Sequence, residues 1–141
     1  SDHVSAFWDW MPTLAEIAGT KAPDATDGIS LLPAMIGKKQ ESHKFLYWEF
    51  PSYGSQQAVR LGNWKGIRQK ISKAKTTADI NTELYNLELD PGETKNVADL
   101  NPKILKKIES IMAKAHVPSK LFPILPEERL RARKNKLNKS N

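Results

Sequence analysis

Two hydrophobic periods divide this 141-residue chain. Near its start, Trp8, Met11, Leu14, Ala15 and Ile17/Ala18 recur at helical spacing and share one face, which predicts a helix from about Trp8 to Ala18. Asp9 stands where an N-cap belongs, Pro12 falls in the first turn, and Gly19 follows the last periodic residue as a stop. Trp8 and Trp10 point to different sides of this helix, so at least one is expected to be exposed. The apolar stripe itself requires a partner surface. The turn-rich segment "KAPDATDGIS" then leads to Ser30, placed to cap a short helix, "LLPAMI", with Pro33 in its first turn and Gly37 closing it.

After the polar stretch "KKQESHK" the pattern becomes that of strands. "FLYWEF" at 45–50 is aromatic-rich and β-prone. "QQAVRL" and "WKGIRQ" flank Gly62-Asn63, a two-residue hairpin turn, and "TELYNLEL" runs to the turn "DPGE". A second helix signature follows. Asn101 reads as N-cap and Pro102 as first helical residue, and Ile104, Leu105, Ile108, Ile111, Met112 and Ala115 line one side. Lys103, Lys106, Lys107, Glu109 and Lys114 fall on the other. The three prolines of "HVPSKLFPILP" break the helical pattern. The fold class is therefore α+β: a small antiparallel sheet of three to four strands, covered by a C-terminal amphipathic helix and preceded by two helices. Boundaries are expected at 1–40, 41–126 and 127–141.

Charge changes the picture at one end. The net charge is +6, but residues 127–141 hold three Arg and three Lys against two Glu, so most of it sits there. A flexible, solvated basic tail is expected, with docking to something anionic as the other use. Hydrophobic residues at 39% and charged residues at 27% describe an ordinary globular domain. No apolar run is long enough to span a bilayer, and no secretion leader is visible. With no Cys, disulfides, thiolate catalysis and Cys-based zinc sites are excluded. His3, His43 and His116 are too scattered for a zinc site, so no metal ligand and no catalytic residue is assigned.

Four segments, in order, resemble the sulfatases of the alkaline-phosphatase-like superfamily, particularly secreted bacterial arylsulfatases. "DWMPTLAEIAGTKAP" is similar to the family's D-x-x-P-T-L-x-x-x-A-G helix, and "DGISLLPAMIGK" to its D-G-x-S-L-x-P-x-L-x-G segment. "AVRLGNWKGIR" resembles its A-V-R-x-G-x-W-K hairpin. "ELYNLELDPGETKNVAD" resembles its E-L-Y-D-L-x-x-D-P-x-E-x-x-N-L-A signature, with Asn86 where Asp is usual. The resemblance implies a C-terminal region whose two leading helices belong to the edge of a missing large α/β domain. That N-terminal catalytic domain would be the chain's main partner. It would hold the formylglycine made from a Cys or Ser in a Cys/Ser-x-Pro-x-Arg motif, and the calcium ion. Neither cofactor is expected here; "VPSK" at 117–120 does not fit the motif, so the fragment alone should be inactive. The whole protein is expected to act on sulfated carbohydrate or aryl sulfates, in the periplasm or outside the cell, with no nucleic-acid partner and no membrane span.

Substrate contact is the role left open by that resemblance, in the region "YWEFPSYGSQQAVR". Glu49 is a candidate acceptor for sugar hydroxyls and Gln57 a donor or acceptor; the alternative for Glu49 is neutralising Arg60 or Lys65 across the sheet. If Gly62-Asn63 is the turn, Arg60 faces Lys65 directly, an opposition of like charges. Either both side chains splay into water, or a carboxylate or sulfate sits between them. Trp8, Trp10, Trp48, Trp64 and Tyr85 are open to sugar stacking or to packing. A stand-alone basic module for polyanions such as sulfated glycans is the alternative function.

Overall fold

The computed structural model describes residues 2–137. Chain contacts divide it into two compact units, one up to Leu46 and one from Tyr47 onward.

In the first unit a short 3-10 turn, Phe7–Asp9, runs into α1 (Trp10–Ile17), and α2 spans Leu32–Met35. Both helices end as their glycines predict. Gly19 and Gly37 take φ near 70°, and each ending is closed by a pair of backbone bonds. Thr20 N reaches Ala15 O at 2.9 Å and Gly19 N reaches Glu16 O at 3.1 Å, with the same pattern at Lys38 and Gly37. A β-carbon would resist that left-handed turn. Ser30 does reach the start of α2, its hydroxyl accepting from Leu32 N at 3.2 Å. Asp9 does not act as a side-chain cap for α1; its carboxylate bonds elsewhere. The apolar residues Met11, Leu14 and Ile17 stay exposed, as does Trp10, while Trp8 is half-buried.

The second unit is built on a four-stranded antiparallel sheet in the order β1-β2-β3-β4, from Leu46–Phe50, Gln56–Leu61, Trp64–Arg68 and Glu83–Asn86. The β2–β3 turn is Gly62-Asn63, since Leu61 pairs with Trp64 and Arg60 with Lys65. Only Gly62 of the two has positive φ, at 58°, the signature of a turn with glycine first. β4 stops sooner than its sequence pattern suggests. Leu87 N still bonds Asn63 O, but Leu89 N and Asp90 N bond back to Asn86 O, so the chain turns within "LEL".

Register then builds the core. Val59 pairs with Gly66 and Gly66 with Leu84, giving one row across three strands. Ile108 and Met112 of α3 (Pro102–Ala115) lie on that row, and both are fully buried. Gly66 is what lets the helix come so close: a β-carbon there would stand 2.4 Å from Ile108 Cγ2. Trp64, Leu61, Tyr47, Ile104, Leu105 and Ile111 pack around the cluster. Asn101 occupies the N-cap position but turns its amide to Val97 O at 3.0 Å.

The expected loose tail is a helix, α4 (Pro126–Leu137). The charges are ordered rather than merely abundant. Pro126 opens the helix, Glu127 and Glu128 occupy its positive N-terminal turn, and the Arg and Lys residues follow toward its negative end. Arg129 anchors it, donating to Ile124 O at 2.7 Å, Ala74 O at 2.9 Å and Ile71 O at 3.2 Å. Residues 138–141 of that expected tail lie outside the described residues. No helix among the described residues is long and apolar enough to cross a membrane.

Candidate functional site

Alternation along the strands sorts the four sequence candidates into two pairs on opposite faces of the sheet. Gln57 faces Arg68, two residues along from the Val59–Gly66 pair and on the same α3-covered side. Arg60, Lys65 and Tyr85 form a row on the reverse side.

On the covered side the apolar core gives way to a polar seam. Gln57 is 1% exposed. Its amide nitrogen donates to Tyr47 Oη at 2.9 Å and Glu49 Oε1 at 3.2 Å, and its oxygen accepts from Arg68 Nη1 at 3.4 Å. The Tyr47 hydroxyl donates to Glu49; burial and that carboxylate both push its pKa far up, so it stays protonated. Arg68 Nε donates to Thr82 Oγ1 at 2.9 Å, and Thr82 donates to Glu109 of α3 at 2.9 Å. His116, just past α3, closes the seam. Its Nδ1 meets Glu49 and its Nε2 lies 2.8 Å from Glu128 Oε1 of α4. Burial disfavours the charged ring, but the two carboxylates outweigh it and hold the His116 pKa above its ordinary 6.5. Glu128 also accepts from Ile124 N and Leu125 N through its other oxygen.

Glu49 therefore pairs with His116, and the expected neutralisation of Arg60 or Lys65 does not occur. Those two cations find separate partners. Lys65 Nζ donates to both oxygens of Glu93, at 2.6 and 2.7 Å, while Arg60 Nε turns back to Gly62 O at 3.2 Å. A carboxylate relieves the like-charge opposition. Glu93 holds φ 53° to do so, an uncommon setting for a non-glycine residue. Asp90 braces its loop by accepting from Thr94 N and Lys95 N, both at 2.8 Å.

Sequence reading missed His116, Glu128, Tyr47 and Arg68 as a group. One signal was present: a His at the end of an amphipathic helix is favoured as a cation there. Among the described residues no buried side-chain polar atom lacks a partner. The seam is chemically satisfied, as a scaffold is. Of the aromatics, Trp64 packs on the core, Tyr85 donates to Glu83 at 2.9 Å, and Trp48 and Trp10 keep exposed surface.

The first unit has its own buried polar centre. Asp9, wholly buried, accepts from Ala6 N at 2.7 Å, Ile29 N at 2.9 Å and His43 Nε2 at 2.8 Å. Burial raises its pKa, but these bonds together outweigh it and lower the value. Thr13, also buried, donates to Asp9 O and accepts from Leu31 N. The "DWMPT" and "DGIS" segments are thus tied to each other through Asp9 and Thr13.

A family model described as N-sulphoglucosamine sulphohydrolase, C-terminal, matches residues 2–117. The chain belongs to the sulfatases. It corresponds to their C-terminal region. Human arylsulfatase A is 32% identical over 132 residues, covering 77% of this chain and 26% of the relative. The Delta 4,5-hexuronate-2-O-sulfatase of Bacteroides thetaiotaomicron is 35% identical over 99 residues, covering 70% of this chain and 20% of the relative. A solved 2-O GAG sulfatase superposes with a TM-score of 0.62 at 29% identity, over 76% of this chain and 23% of its own. The chain spans about a fifth to a quarter of these sulfatases.

The sulfatase cofactors do not fit the residues present. There is no Cys in the chain to become formylglycine, and no Ser stands in a Ser-x-Pro-x-Arg motif. Among the described residues, no group of three or more His, Cys, Asp or Glu is gathered that could hold a cation.

Proposed function

We propose that this chain is the C-terminal part of a sulfuric ester hydrolase acting on sulfated sugars, with its nucleophile and calcium held by a preceding α/β domain. The observation that carries this reading is the sulfatase family match over residues 2–117, joined to coverage of only 20–26% of the relatives. The names of two relatives, a hexuronate sulfatase and a GAG sulfatase, support carbohydrate as the substrate class. The exposed apolar residues of α1 are a suitable seat for the preceding domain. Glu49 and Gln57 serve as scaffold in this reading. Arg60, with Lys65 behind it, remains the candidate for substrate contact on the uncovered face. We place the whole enzyme in the periplasm or outside the cell, where sulfated polysaccharides are encountered.

The coding sequence upstream of Ser1 tests this directly. It should encode a large α/β domain with a Cys/Ser-x-Pro-x-Arg motif, and the joined protein should release sulfate from an aryl sulfate while the 141-residue chain does not. Sulfate release by the purified 141-residue chain would overturn the proposal.

A further inference from the structure

Two loops of the second unit carry a concentration of strained backbone. Tyr53, Gly54 and Ser55, between β1 and β2, have φ of 50°, 85° and 61°, and Lys70, just after β3, has φ 55°. Three of these four are not glycine. Each such residue costs on the order of 1–3 kcal/mol and persists where the surroundings impose it, commonly at ligand clamps. The imposing contacts run between the two loops. Ser72 N donates to Gly54 O at 2.8 Å and Ile71 N to Ser55 O at 3.1 Å. Gly54 sits so close that a β-carbon on it would be 3.4 Å from Lys70 Cα. Ser55 is buried while Tyr53, two residues earlier, is 83% exposed. The strain thus turns an aromatic ring outward, stacked on Phe50 at a centroid distance of 5.9 Å.

Beside this clamp lies a groove of about 600 Å³, whose lining includes Lys70, Lys73, Lys75, Asp79 and Glu83. The charges of the two signs are differently placed. Asp79 accepts from Thr76 N, Lys75 N and Thr76 Oγ1, and Glu83 accepts from the Tyr85 hydroxyl. The Nζ groups of Lys70, Lys73 and Lys75 have no hydrogen bond or ion pair among the described residues. The Arg129 guanidinium, bonded to the carbonyls of Ile71 and Ala74, adds a fixed cation behind the wall. The anions are engaged internally and the cations are available.

We propose that the paired loops 51–55 and 69–75 form a binding site for a sulfated oligosaccharide: Tyr53 stacks on a sugar ring, and Lys70, Lys73 and Lys75 pair with its sulfate or carboxylate groups. The site is separate from Arg60 and Lys65. Its ligand class rests on the sulfatase reading; its geometry does not. An exposed aromatic ring on one loop and cations on the loop bonded to it suit a pyranose, whose ring offers an apolar face and whose substituents offer anions. The uncommitted ammonium groups need no internal partner to be broken before binding.

The test is calorimetric titration of the 141-residue chain with a heparin-derived hexasaccharide and with its fully desulfated counterpart. Lys70→Asn/Lys73→Gln/Lys75→Gln should weaken binding by about tenfold or more, and Tyr53→Ala by about threefold to tenfold. Asn at position 70 tolerates the left-handed backbone, and melting temperatures check that both variants fold. Arg131→Gln/Arg133→Gln/Lys134→Gln, on α4, should change affinity less than about twofold. The proposal is overturned if the loss follows the α4 variant, if the desulfated sugar binds equally well, or if single-stranded dT12 binds as tightly and with the same sensitivity to the lysines. Sulfate release from a small aryl sulfate by the joined enzyme reads the sulfatase proposal separately, because that substrate is too small to need this groove.

Discussion

One face of one sheet holds two kinds of interior. Around Val59, Gly66 and Leu84, α3 covers it with Ile108 and Met112. Further along the same strands, Gln57, Arg68 and Thr82 are covered by Glu109 and His116. The apolar end is closed to solvent and the polar end is partly open at Glu49 and Glu109, and they are held differently. The apolar end depends on volume and shape, tolerates a change of chemistry of equal size, and is indifferent to pH. The polar end depends on every donor meeting its acceptor, and so on the charge of a single imidazole. The apolar end fixes how closely α3 approaches the sheet. The polar end fixes which residues of β1, α3 and α4 belong together.

Substitutions can pull these two ends apart. The largest effect is expected at Gly66. Gly66→Ala places a methyl 2.4 Å from Ile108 Cγ2, and urea unfolding should show a loss of about 3 kcal/mol or more. Ile108→Ala, which leaves a cavity instead, should cost about 2–4 kcal/mol. The two should be markedly non-additive, since the smaller side chain makes room for the methyl. At the polar end, His116→Ala leaves Glu49 and Glu128 without their shared cation and should cost about 2–3 kcal/mol at pH 6. Lys65→Met breaks only the half-exposed pair with Glu93 and should stay within about 1 kcal/mol.

The pH dependence sharpens the contrast. His116 has a raised folded-state pKa, so its stabilisation is complete below the unfolded value of 6.5 and is lost as pH rises through the raised folded value. The melting temperature should therefore fall as pH rises above 6.5, and His116→Ala should flatten that alkaline limb, whereas Ile108→Ala should leave the curve parallel to that of the unsubstituted chain. Asp9, in the first unit, acts at the opposite edge. Its pKa is lowered, so its contribution is present above 3.8 and disappears as pH falls through the depressed folded value. If the alkaline limb survives in His116→Ala, the polar end is not held by that ring.

The apolar end was legible in the sequence because its information is local and periodic. The hairpin turn at Gly62-Asn63 sets the Arg60–Lys65 pairing by geometry alone, and the α3 stripe names Ile108 and Met112. Gly19 and Gly37 mark their helix ends by backbone conformation. The polar end was not legible, because its pairings join distant residues, Glu49 to His116 across 67 positions; the same holds for the separate polar centre of the first unit, where Asp9 reaches Ile29 and His43 across 20 and 34. Asp9 and Asn101 each stand where a local rule expects a cap, yet longer-range or neighbouring acceptors and donors claim their side chains. The α4 segment was misread for a related reason. Its net charge suggested a solvated end, while the order of its charges, acidic first and basic after, is that of a helix with Arg129 as anchor. The strained loops gave no sequence signal, since Tyr53, Ser55 and Lys70 are residues that seldom adopt a left-handed turn.

The order β1-β2-β3-β4 has a consequence for how this unit forms. Each strand neighbours the next one made, so the sheet can zip together through short loops, with little entropy lost to closure. The two C-terminal helices come from farther along the chain: Ile108 packs on Gly66, His116 reaches Glu49, and Arg129 reaches Ile71. Early assembly of the hairpins, followed by capture of the two C-terminal helices, is the order that such local strand pairing favours, and it would let the strands of a ribosome-bound chain pair before synthesis ends.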